Sequence, residues 1–178
     1  PKDACTLLLG REARPSAVLA ALAERKDGLA VFHAACHGIF DARSSALTGI
    51  VLADLEVLSL EDLYRVEIPA SLAVLSACDS GRGPVSRGEG GFGLVRGFFH
   101  GGCPRVVVSE WRLDDAATRR FMGDFYGALR KDGLAPVAAL AGAKPSNNSS
   151  PVATRLASFR NSSNPNLWND RLLYSNHF

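Results

Sequence analysis

Residues 1–142 predict an α/β fold, with a mainly parallel sheet and helices on both faces. Three observations carry this. Apolar runs recur at LAVFHAA (29–35), SLAVLSA (71–77) and PRVVVSEW (104–111) without polar alternation. Such runs suit strands buried on both faces. Helical patterns lie between them, and strands that alternate with helices mark a parallel sheet.

In chain order, CTLLL (5–9) reads as a first short strand that stops at Gly10. PSAVLAALAER (15–25) reads as a helix, with Pro15 at its start and apolar positions 18, 19 and 22 on one face. LAVFHAA follows as a strand, and LTGIVLAD (47–54) as a further strand or a hairpin. SLEDLYR (59–65) opens with Ser59 three residues before Asp62, close to a capping box. After the strand at 71–77, FGLVRGFFHGG (92–102) is a helix stopped by Gly101 and Gly102. The strand at 104–111 leads to a long amphipathic helix over 114–133, ended by Gly133.

Composition sets the outer limits. With 178 residues, 47% of them apolar and 21% charged, the chain can bury a normal core. The formal net charge of +2 and the absence of a basic run give no electrostatic case for nucleic acid. No apolar stretch approaches the roughly 18 residues of a membrane span. The start, Pro1-Lys2-Asp3-Ala4, has neither a signal peptide's pattern nor a Met, and reads as a piece of a longer polypeptide. Cys5, Cys36, Cys78 and Cys103 show no CxxC spacing, so neither a zinc knuckle nor a disulfide framework is expected. A cytoplasmic protein with reduced thiols and no metal is the expectation. All seven Asn lie after residue 143, so 143–178 reads as an Asn/Ser-rich tail, with room for a final strand.

In a parallel α/β sheet, ligands bind beyond the carboxyl ends of the strands. Two strand ends carry chemistry there: Cys36-His37-Gly38 and Cys78-Asp79-Ser80-Gly81. If these strands are parallel neighbours, His37 and Cys78 emerge side by side. An imidazole can then take the proton of the thiol or stabilise the thiolate. Gly38 has no Cβ to block a substrate carbonyl, and the N–H groups of Gly38 and Cys78 are natural oxyanion donors.

The strings FHAACHGIFD, LAVLSACDSG, RGEGGFGLVRGFFHGGCPRVVVSEWRLDD and RRFMGDFYGAL occur in this order. Together they resemble the CHAT family of caspase-like cysteine peptidases, and GREARPSAVLAAL (10–22) resembles that family's first helix. The resemblance runs over residues 7–142 and implies a caspase-like three-layer sandwich. It puts the general base on His37 and the nucleophile on Cys78, with no cofactor. It also implies a protein or peptide substrate and an N-terminal TPR-like regulatory region in the same polypeptide. Asp79 stands where the family usually has Glu, Glu110 where it usually has an apolar residue, and 143–163 does not resemble its closing helix.

Rival readings accompany these residues. Cys36 and His37 are adjacent on a strand and so face opposite ways, which makes Cys36 a core residue. His33 reads as a packed or hydrogen-bonded strand residue. GEGGFG (88–93) satisfies GxGxxG, but a turn-rich loop precedes it where a dinucleotide site needs a strand. Asp79, Asp114, Asp115 and Trp111 are candidates for substrate binding, with a carboxylate favouring a basic side chain before the scissile bond. Asp114 equally suits a helix N-cap. The alternative to a peptidase is a catalytically silent scaffold domain of the same fold.

Overall fold

The structure, a computed structural model, describes residues 5–41, 44–76, 78–79, 89–109, 115–143 and 154–158. The strands are β1 (Phe32–Ala34), β2 (His37–Ile39), β3 (Gly49–Val51), β4 (Val57–Ser59), β5 (Ala73–Leu75), β6 (Cys78–Asp79), β7 (Arg105–Ser109) and β8 (Thr154–Ser158). The helices are α1 (Pro15–Ala23), α2 (Leu60–Leu63), α3 (Glu89–His100), α4 (Asp115–Arg130) and α5 (Pro136–Gly142).

The strands form two sheets. In the first, ordered β1-β5-β7-β8, the pairs β1–β5 and β5–β7 are parallel and β8 is antiparallel to β7. In the second, ordered β4-β3-β2-β6, the β2–β3 and β3–β4 pairs are antiparallel and only β2–β6 is parallel. The mainly parallel expectation therefore holds for the first sheet and not for the second.

The unbroken apolar runs behave as strands between two layers of side chains. Along β5, Ala73 and Leu75 join one core cluster while Leu72 and Val74 join the other. Along β7, Val106 and Val108 lie in the first cluster and Val107 in the second. Leu22 of α1, Leu63 of α2 and Leu94, Val95 and Phe98 of α3 fill the first face. Phe121, Met122 and Phe125 of α4 and Ala139 and Leu140 of α5 fill the second. Each of the Leu, Val, Phe and Met side chains among them contributes about 1.5–3 kcal/mol relative to remaining in water.

Local signals in the chain explain the element ends. Pro15 occupies the first turn of α1. Ser59 accepts the Asp62 N–H at 3.1 Å while Asp62 Oδ2 accepts the Ser59 N–H at 2.9 Å, a reciprocal capping box that starts α2. After α3, Gly102 takes φ +99° and the Cys103 N–H donates to Phe98 O at 3.0 Å, closing the helix with a left-handed cap. Within α3, a Cβ at Gly97 would come within 2.8 Å of Leu60 Cδ1 and 3.1 Å of Leu63 Cβ, so glycine lets α2 and α3 approach closely.

A second expectation fails. Residues 5–9 form no strand, and Leu7 and Leu9 are 69% and 63% exposed. An apolar run needs a neighbouring strand to become one, and no described strand pairs with it. Among the described residues, no helix is long and apolar enough to cross a membrane.

Candidate active site

β1 runs on into β2, and β5 into β6, after interruptions at Ala35-Cys36 and after Ser76. The register survives the interruption. Phe32 faces Ala73 and His37 faces Cys78, an offset of 41 in each case. The Ser76 N–H donates to Ala34 O at 2.9 Å and bridges the gap. His37 and Cys78 thus stand level on adjacent parallel strands, whose backbones lie about 4.8 Å apart. Gly38 is level with Asp79.

β2, which carries His37, is an interior strand. On its other side it pairs with β3, with His37 opposite Val51 and Gly38 opposite Ile50. Ile50 and Leu58, fully buried, anchor that hairpin to the core. Burial alternates along 32–38: Phe32, Ala34 and Cys36 pack against the first core cluster, while His33, Ala35 and His37 are exposed. Gly38 is buried.

Beyond β2 the chain is closed by Thr48, which the sequence did not mark. Its buried hydroxyl accepts the Asp41 N–H at 3.1 Å and lies 3.0 Å from Asp41 O and 3.2 Å from Ser44 O. Its one hydrogen serves these two acceptors, and the loop leaving the His37 strand is stapled at its base.

The other thiols differ in kind. Burial pushes the Cys36 thiol up to about 12, so it stays protonated at neutral pH. Burial also raises Cys103, whose S–H donates to Arg105 O at 3.2 Å. Cys5 is exposed near the start of the chain. The reading of Cys36 as a core residue agrees with its packing.

His33 is a hydrogen-bonded strand residue, as expected: its Nδ1 lies 2.6 Å from the Tyr126 hydroxyl of α4. Loss of water on that side lowers its pKa below the ordinary 6.5, although the residue keeps solvent contact, which limits the effect. The unfolded chain therefore takes up this proton first as pH falls. Stability from this group is fully present above about pH 6.5 and declines as pH drops through 6.5 towards the lowered folded value. Urea midpoints measured at pH 7.5 and 5.5 are expected to fall less in His33→Asn than in the wild type.

Ser76 Oγ is buried and has no hydrogen-bond partner among the described residues. A buried hydroxyl left unpaired costs about 1–3 kcal/mol. Ser76→Ala is expected to raise the unfolding free energy by about 1 kcal/mol, checked by urea denaturation.

The remaining predicted residues divide as follows. Asp79 lies in β6, and Asp115 begins α4. Trp111 and Asp114 lie outside the described residues, as do 80–88 and 159–178. Glu89–Gly93 of the glycine-rich stretch form the first turn of α3. His100 meets Tyr64 edge-on, with ring centroids 5.1 Å apart. Among the described residues, no group of three His, Cys, Asp or Glu is arranged to hold a metal ion.

Parallel pairing thus brings His37-Gly38 and Cys78-Asp79 to one level. A family model of the CHAT domain matches residues 2–174, and the chain belongs to that family, which is associated with caspase-like cysteine peptidases. The match extends past residue 142 and covers β8. No curated protein gives a significant match to the chain.

Proposed function

We propose that this chain is a cysteine endopeptidase with a His37–Cys78 dyad, built as a caspase-like three-layer sandwich. The observation that carries the reading is the parallel register pairing His37 with Cys78. In the proposed mechanism, His37 accepts the proton of the Cys78 thiol, and Sγ attacks the carbonyl carbon of the scissile bond. The N–H groups of Gly38 and Cys78 hold the resulting oxyanion, each such donor being worth about 10²–10³ in turnover. His37 then protonates the leaving amine, and water hydrolyses the thioester with His37 as base.

Asp79, Asp114, Asp115 and Trp111 are the proposed substrate contacts, with a carboxylate pairing with a basic residue before the scissile bond. The catalytic unit is proposed for 1–142, with 143–178 as a tail that contributes the final strand β8. The proposed setting is cytoplasmic, with a protein or peptide substrate and TPR-like repeats in the same polypeptide as regulator.

The test is covalent labelling by peptidyl acyloxymethyl ketones bearing Arg, Lys, Leu or Asp next to the warhead. Labelling that vanishes in Cys78→Ala supports the dyad, and preference for the Arg or Lys probe supports the acidic pocket. Labelling that survives in Cys78→Ala overturns the assignment. A folded wild type that no probe labels favours the silent scaffold.

A further inference from the structure

The pair His33–Tyr126 crosses between layers of the fold and joins residues 93 positions apart. The hydroxyl and Nδ1 are 2.6 Å apart, and the rings lean together with centroids 5.6 Å apart at 54°. Tyr126 is itself seated: its ring meets Phe125 at 5.3 Å, and it packs against the second core cluster. β1, by contrast, has a described strand on one side only, namely β5. A strand held along one edge relies on side chains to fix its position above the neighbouring layer. This strand continues through Ala35-Cys36 into β2, so any displacement of β1 is passed to His37 four residues on.

We propose that Tyr126 is a positioning residue for His37, acting through its hydrogen bond to His33, which anchors β1 to α4. The role rests on the dyad reading above and adds a second tier to it: Tyr126 touches neither substrate nor thiol. The neutral His33 ring can accept the hydroxyl proton at Nδ1 or donate Nδ1–H to the hydroxyl oxygen, and in either tautomer the bond fixes the orientation of the ring. A displacement of about 1 Å at a reacting group costs about 10²-fold in rate, and loss of one tether to an otherwise paired strand is expected to cost about tenfold.

Two readouts test this. The first is the rate of Cys78 labelling by the preferred ketone, resolved into maximal rate and half-saturating concentration. The second is the histidine ring NMR spectrum, with His37 assigned through His37→Ala. In Tyr126→Phe, which loses one oxygen, the maximal rate is expected to fall about tenfold at unchanged half-saturation, and the His37 ring signals to move. His33→Asn, whose Oδ1 can accept from Tyr126 near the place of Nδ1, is expected to keep most of the rate and the wild-type His37 signals. His37 signals in Tyr126→Phe that superpose on the wild type overturn the proposal, as does an equal loss in His33→Asn and Tyr126→Phe that tracks their thermal midpoints. The dyad fails separately, through labelling that persists in Cys78→Ala, and the NMR readout does not depend on it.

Discussion

Replacing His37 by alanine is expected to slow covalent labelling of Cys78 by about 10²–10⁴-fold, the usual contribution of a positioned general acid–base. The folded state should hardly notice. His37 is exposed, its backbone pairing with Val51 and Cys78 does not involve the imidazole, and substitutions at such surface positions usually stay within about 0.5 kcal/mol. At this chain length that corresponds to roughly 1–2 °C in the thermal midpoint. Rate and stability measured on the same preparation therefore separate a catalytic from a structural role. Equal labelling rates in wild type and His37→Ala would remove His37 from the mechanism, whatever Cys78 does.

The largest expected loss of stability comes from Phe98→Ala. Phe98 is fully buried in α3, its ring 5.3 Å from that of Phe32, in the cluster shared with Leu63, Leu75 and Val106. Removing a buried phenyl group costs about 3–5 kcal/mol, against a total of about 5–15 kcal/mol for a domain. Urea denaturation should show the midpoint fall steeply, with Phe98→Leu, which retains much of the apolar volume, losing less. A loss below about 1 kcal/mol would mean that α3 packs on the sheet less closely than the structure shows. Phe32 begins the strand that leads to His37, so the same variant should also slow labelling at temperatures well below its midpoint.

Much of this organisation was legible in the chain. Ser59 and Asp62, Pro15 and Gly133 are local devices whose effect spans a single turn, and they act where they stand. SLAVLSA and PRVVVSEW are apolar enough to name themselves as doubly buried strands. The candidate dyad was legible for the same reason: each of its residues ends such a run. The second sheet was not. β2 is His37-Gly38-Ile39, with no apolar pattern, and it becomes a strand because β3 and β6 flank it. CTLLL shows the converse, apolar in sequence yet without a strand beside it. Thr48 carries no pattern at all, and the motif that holds Tyr126 does not name His33 as its partner, because both contacts are set by tertiary approach.

The offset of 41 residues between paired strands also bears on the order of folding. The hairpin β3–β4 pairs Gly49 with Ser59, a short closure that forms on its own schedule. Bringing His37 to Cys78 requires a loop about four times longer, with about 1.2 kcal/mol more closure entropy before any contact rewards it. Long-range parallel pairing is the slow kind. The two residues therefore meet late, after the local hairpin has formed, and a nascent or partly unfolded chain carries them apart. On the proposed dyad reading, an incompletely folded copy presents only a separated thiol and imidazole.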